Sequence, residues 1–201
     1  MDVLPSEILR YVICMEEVNT RIKVIEDAPS SLGRVNFIDP RSEIIAVQYR
    51  KILELIAFGS LIANRAKYSL AYRNYTSHWK AKELLDNLKI INPKYYPIPL
   101  KPAVLQRNGT KHFGAVTKNY LTEEQFISLY DDCGSILHTH NPYKLHNPKR
   151  FSPDSITKWT KYIKGLLNVH LARLFDVEGW VVYMNYDNTG KVHAFPFTAV
   201  E

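Results

Sequence analysis

The segment from Pro40 to Ile62 constrains the fold most, because its apolar residues fall on nearly every side of a helix. A helix of this kind needs neighbours all round it, so the pattern predicts the central helix of a bundle. Gly59 inside the segment predicts either a kink or the close approach of a neighbouring element. The helical pattern continues more weakly through Tyr72.

Four further segments repeat apolar residues at helical spacing. Thr122 and Gln125 form a capping-box pattern at the start of one of them, and Ser152-Pro153 starts another with proline in its first turn. The last segment keeps helical spacing as far as Leu174. These predicted helices span residues 5–27, about 77–91, 122–137 and 153–174.

The hydrophobic period changes to two near the C-terminus, where residues 179–198 alternate on both sides of the turn Asp187–Gly190. This pattern predicts a β-hairpin. A lone hairpin is only marginally stable, so it is expected to pack on the helices or to pair with another strand. Residues 92–120 are rich in proline and predict an extended loop, with one short strand between His112 and Val116.

The predicted fold class is mostly α (α+β): a helical bundle with a C-terminal antiparallel β-hairpin. We expect one domain over residues 1–201, with the helical core at about 5–174 and the hairpin at about 179–198.

The composition excludes several other classes of protein. Two cysteines, Cys14 and Cys133, are too few for a disulfide framework, and no signal-peptide pattern is visible, so we expect a cytoplasmic protein. The most apolar stretch, residues 52–63, is too short to cross a membrane, and no membrane partner is expected. The net charge of +6 permits a nucleic-acid partner without demanding one.

Arg73, Asn74 and His78 form the first candidate catalytic group. A histidine can move a proton on or off an RNA 2′-hydroxyl, and an arginine can stabilise the phosphate in the transition state. The neighbouring asparagine would position these groups. The alternative is that His78 faces solvent and that Arg73 is a cation near a helix C-terminus.

The spacing of these residues resembles the motif of the HEPN superfamily, an arginine and a histidine with four to six residues between them. Many members of that helical superfamily are ribonucleases in toxin–antitoxin, CRISPR and phage-defence systems. The resemblance covers only residues 73–78. It implies a metal-independent endoribonuclease, or an inactive relative, that forms a homodimer with the two motifs facing each other.

The second candidate group contains Cys133, His138, His140 and His146, with His112 upstream. Histidines at this spacing can bind zinc. The competing interpretation, which we favour, places Cys133 in the core and the histidines at the end of a helix, with no metal and no cofactor.

A third candidate is a basic surface that begins before the last predicted helix and continues along it. Lysines three residues apart lie near one face of a helix, where they could contact successive phosphates of a nucleic acid. The alternative is that they form an ordinary solvent-exposed face of the helix. The residues assigned to nucleic-acid binding are Lys144, Lys149, Arg150, Lys158 and Lys161.

Two functional hypotheses remain at this point. The first is a HEPN-like, metal-independent ribonuclease or inactive relative in a bacterial toxin or defence setting, acting on RNA. The second is a non-enzymatic accessory protein that binds a partner protein or a nucleic acid.

Overall fold

The computed structural model describes residues 6–28, 39–72, 80–107, 109–139, 143, 149–175 and 178–198. Helices account for most of these residues, which confirms the predicted fold class. The helices are α1 (Ser6–Asp27), α2 (Pro40–Ala63), α3 (Arg65–Ala71), α4 (Ala81–Ile91), α5 (Glu123–Leu137) and α6 (Pro153–Leu167). None of these described helices combines the length and the apolar character that a membrane span requires.

Helix α2 is the central helix, as its pattern predicts, since it packs against α1, α4 and α5. Gly59 lets α1 approach closely, because an added Cβ would stand 3.1 Å from the Tyr11 ring. The helical run ends at Asn64 instead of continuing unbroken to Tyr72. The Asn64 amide is buried, where its Nδ2 donates to the Ser60 carbonyl at 2.8 Å and its Oδ1 accepts from Asn92 at 2.7 Å.

Helices α5 and α6 start at the capping signals in the sequence. The Thr122 hydroxyl accepts from the Gln125 N–H at 3.3 Å, and the Gln125 side chain accepts from the Thr122 N–H at 3.1 Å. This is the predicted capping box. Ser152 caps α6 by accepting from the Ser155 N–H at 3.2 Å.

The predicted hairpin belongs to a four-stranded antiparallel sheet with the strand order β1-β4-β5-β6. Its strands are β1 (Ile98–Pro99), β4 (Val169–Phe175), β5 (Glu178–Tyr183) and β6 (His193–Thr198), and a separate ribbon contains β2 (Val104–Leu105) and β3 (Lys111–His112).

The prediction of a helix as far as Leu174 was wrong, since α6 ends at Leu167 and residues 169–175 form β4, one of the two inner strands of the sheet. This strand pairs with β1 on one side and with β5 on the other. Its residues are apolar on both faces, and a short segment of that kind satisfies helical and strand spacing equally well.

The two faces of the sheet have different surroundings. Ala172, Trp180, Val182 and Ala194 join the main core that the helices form. Val169, Leu171 and Val181 belong to a second, smaller cluster on the opposite face. Among the described residues, the helices therefore cover one face of the sheet only.

His170 links α1 to the sheet and is fully buried. Its Nδ1 lies 2.7 Å from the Leu167 carbonyl oxygen, which can only accept, so Nδ1 carries the proton and donates. Nε2 then accepts from the Tyr11 hydroxyl at 2.8 Å. Burial lowers the pKa of His170 to about 4, because its charged form would be desolvated.

Candidate nucleic-acid interface

A two-stranded arm, residues 101–118, extends from the sheet edge at β1. Its base is held by the Lys101 N–H, which donates to the Gly114 carbonyl at 2.8 Å, and its outer part by the pairing of Val104 with His112. The strand residues of the ribbon are exposed on both strands, including Val104 and Leu105, which are 61% and 69% exposed. A surface of this kind presents both strands of the arm to a partner.

Charge on the arm is of one sign. The sequence contains no aspartate or glutamate from residue 87 to residue 122. Within the arm, Lys101, Arg107, Lys111 and Lys118 are exposed, and none forms an ion pair with the described part of the chain. The arm therefore presents positive charge that no carboxylate within it neutralises.

Helix α6 adds two exposed lysines, Lys158 and Lys161, which form no ion pair with any described residue. Nζ of Lys158 lies 4.8 Å from the centroid of the Trp159 ring and 5.7 Å from that of Tyr162. These contacts hold the ammonium group against aromatic faces without removing its charge. Lys164, one turn further on, is paired with Glu26 and is neutralised within the protein.

The chain that returns from the arm lies directly on α6. The Leu121 N–H donates to the Tyr162 carbonyl at 2.9 Å. At Gly165 an added Cβ would stand only 2.1 Å from the Asn119 carbonyl oxygen. Lys118, one residue before this contact, therefore lies close to the α6 surface. We define the basic surface as Lys101, Arg107, Lys111, Lys118, Lys158 and Lys161.

The five residues predicted to bind nucleic acid have different environments. Lys158 and Lys161 belong to the basic surface, and Arg150 is exposed without an ion pair to the described residues. Lys149 is paired with the Asp132 carboxylate of α5. Lys144 lies outside the described residues. The assignment of all five to binding stays a prediction.

The predicted catalytic residues Arg73, Asn74 and His78 also lie outside the described residues. The segment that contains them connects α3 to α4. These two helices are held together by the Tyr72 hydroxyl, which donates to Asn87 Oδ1 at 3.1 Å, and by Asn87 Nδ2, which donates to the Tyr68 hydroxyl at 3.3 Å.

The histidine and cysteine group is spread over different environments. Cys133 is buried in the core, and burial raises the pKa of its thiol to about 12, which disfavours the thiolate that a metal would bind. His138 is exposed at the C-terminal end of α5, and His112 is exposed on β3. His140 and His146 lie outside the described residues, among which no three metal-binding side chains form a group.

A concave site of about 290 Å³ lies between α1, α6 and the turn after β5. Ile22, Leu167 and Met184 give it an apolar lining. The Asn19 side chain already forms a hydrogen bond within the protein, since its Nδ2 donates to the Met184 carbonyl at 2.8 Å. Lys164 and Glu26, which also line it, are paired with each other. The ion pair of Lys164 with Glu26 leaves these two charges neutralised within the protein.

Comparison with protein-family models, with curated proteins and with solved structures finds no match to this chain. The arm residues Lys101, Arg107, Lys111 and Lys118 were not among the predicted site residues. The signal that could have found them is the length of the segment without acidic residues, which is visible in the sequence from residue 87 to residue 122.

Proposed function

We propose that this protein binds nucleic acid through the basic surface of the arm and α6. The observation that carries the proposal is that six exposed cations on two adjoining elements form no ion pair with the described residues. Cations that stay unpaired are available to replace the counterions of a phosphate backbone, which is the main source of nucleic-acid affinity.

The shape of the arm supports the same partner. Arg107 lies six positions after Lys101. At roughly 3.3 Å per residue in a fully extended chain, the two residues are at most about 20 Å apart. Cations spread over this length suit a linear polyanion better than a compact anion such as free phosphate. Strand β2 adds exposed apolar groups at Val104 and Leu105, which can contact bases or sugars.

Binding is tested by fluorescence anisotropy with a labelled RNA strand. The double variant Lys101→Glu/Lys111→Glu is expected to lose at least tenfold in affinity, since two attractive contacts become repulsive. The matched control, Arg10→Glu/Lys51→Glu, changes the net charge equally at exposed positions of α1 and α2 that form no described ion pair. Equal loss in both variants, or binding too weak to detect in the native protein, would refute the proposal.

Cleavage of the bound RNA is a second candidate function, which the Arg73, Asn74 and His78 pattern supports. In that proposal His78 transfers a proton, Arg73 stabilises the phosphate and Asn74 positions them. Incubation of RNA with the native protein and with the Arg73→Ala/His78→Ala variant, each with and without EDTA, tests it. Cleavage that persists in EDTA and disappears in the variant is the expected result. Binding without cleavage would leave the accessory-protein hypothesis.

A further inference from the structure

The face of the sheet that the helices leave uncovered carries two adjacent rows of apolar and aromatic residues. Strand pairing places Leu100, Val169, Tyr183 and His193 in one row across the four strands. The next row on the same face contains Ile98, Leu171, Val181 and Phe195. Adjacent strands are about 4.8 Å apart, so each row spans roughly 14 Å.

The two ends of these rows are covered differently. At the β1 end, Leu100 and Phe113 from the base of the arm pack on Val169 and Leu171. At the β6 end, His193 is exposed and Phe195 is 40% exposed. The uncovered part of the face is therefore aromatic and lies at the β6 edge, across the sheet from the arm at β1.

Four rings meet at this uncovered end. The centroid of Tyr186 lies 4.8 Å from that of His193, 5.3 Å from that of Phe195 and 5.6 Å from that of Tyr183. Tyr183 also contacts Phe195 at 6.0 Å. We call this group of Tyr183, Tyr186, His193 and Phe195 the aromatic platform. Mutual contacts fix the rings in place, so a flat ligand can bind them with little further loss of side-chain entropy.

The charges near the platform include carboxylates and one lysine. The turn after β5 carries Asp187 and Lys191, and Glu16 of α1 accepts from the Val192 N–H at 2.6 Å. On the other side the rows end at Leu100, immediately before Lys101. A strand of nucleic acid can therefore cross the sheet face from the platform to the arm. Pro196, which has no N–H to donate, limits the pairing of another protein strand along β6.

We infer that the aromatic platform stacks unpaired nucleobases, and that the protein consequently binds single-stranded nucleic acid in preference to duplex. This inference rests on the proposed binding of nucleic acid by the basic surface. In a duplex the bases are stacked on each other and cannot lie on the platform, whereas the phosphates remain accessible to the arm. RNA and DNA strands share the required chemistry, an unpaired base on a sugar–phosphate backbone.

The test compares three labelled ligands of equal length in anisotropy measurements: a base-bearing strand, a strand with abasic sugars, and a duplex. The base-bearing strand is used as RNA and as DNA, which distinguishes the two sources. The variant Tyr186→Leu/Phe195→Leu removes two rings and keeps apolar side chains. The control is Ile90→Ala, because Ile90 is an apolar residue of α4 whose side chain is 78% exposed.

The native protein is expected to bind the base-bearing strand at least fivefold more tightly than the abasic strand or the duplex. The leucine variant should lose this difference and keep its affinity for the abasic strand, and the ring-preserving Phe195→Tyr should retain the native preference. Equal affinity of the native protein for all three ligands would overturn the inference and leave the binding function intact. Failure to bind any of them would remove the binding function itself.

Discussion

The helical body and the arm-bearing side of this protein differ in how many of their cations form ion pairs and in how closely the unpaired cations are grouped. In the body, several lysines are paired with carboxylates of other elements, as Lys82 is with Asp131 and Lys89 with Glu123. Arg10 and Lys51, by contrast, lie on different helices and form no ion pair with the described residues. On the arm and the exposed face of α6, the cations of the basic surface form no ion pair with the described residues. The net charge of +6 thus understates how strongly positive one side of the molecule is.

The same contrast holds for the apolar groups. Each amphipathic helix buries its apolar face in the main core, whereas the sheet has two apolar faces and buries only one against the helices. Apolar side chains that are buried and cations that are ion-paired stabilise the body. Exposed apolar side chains and unpaired cations are available to bind another molecule. The predictions below separate these two contributions, from the largest expected effect to the smallest.

Protonation of His170 should have the largest effect on the body, because it links α1 to the sheet. Its pKa is lowered to about 4, so below pH 6.5 the unfolded chain takes up a proton that the native protein does not. The stabilisation is therefore complete above pH 6.5 and is lost as the pH falls towards 4. Between pH 6.5 and pH 5 the free energy of unfolding should fall by about 2 kcal/mol from this residue alone.

The measurement is urea-induced unfolding at a series of pH values, with His170→Gln as the control for the other titrating groups. The control is less stable throughout but should show a smaller dependence on pH in this window. Identical pH profiles for the two proteins would show that His170 does not remain neutral in the native state.

Gly165 should have the next largest effect, since it lies where the chain returning from the arm crosses α6. An alanine there would place its Cβ 2.1 Å from the Asn119 carbonyl oxygen, and backbone cannot move aside as a side chain can. We expect Gly165→Ala to destabilise the protein by roughly 2 kcal/mol, although alanine is the better helix former.

Gly134 on α5 provides the matched control, because its added Cβ would meet only Arg50 Nη1 at an ordinary 3.6 Å. Gly134→Ala should raise the stability by up to about 1 kcal/mol through helix propensity alone. Thermal unfolding of both variants measures the difference. Equal changes in the two proteins would mean that the contact of residue 119 with α6 is not formed as described.

The smallest effect on stability is expected at the arm itself. Lys101→Glu/Lys111→Glu should shift the melting temperature by less than about 2 °C, because both side chains are exposed and unpaired. A larger loss of stability would assign the arm cations to folding and would weaken the contrast with the body.

Most of the helices could be predicted because their apolar residues lie on one side and their caps are local. Thr122 and Gln125 satisfy each other's backbone groups within one turn, and this needs no information from the rest of the chain. Strand β4 could not be predicted in the same way. Its hydrogen-bond partners are β1, about 70 residues earlier, and β5, so its identity depends on tertiary pairing.

The candidate site was only partly predictable. Lys158 and Lys161 were recognised from their helical spacing, but spacing cannot tell that they remain unpaired while Lys164 pairs with Glu26. The platform residues were assigned to the hairpin, yet their position on the same sheet face as the base of the arm depends on the strand order β1-β4-β5-β6. Neither pairing nor strand order is encoded within a local segment.

The salt dependence of RNA binding tests the central claim most directly. If the six cations of the basic surface each contact one phosphate of a single strand, the logarithm of the association constant should fall against the logarithm of salt concentration with a slope of about −4. Lys101→Glu/Lys111→Glu should make this slope shallower by more than 1, and Arg10→Glu/Lys51→Glu should leave it unchanged. A native slope near zero, or equal changes in the two variants, would contradict the account.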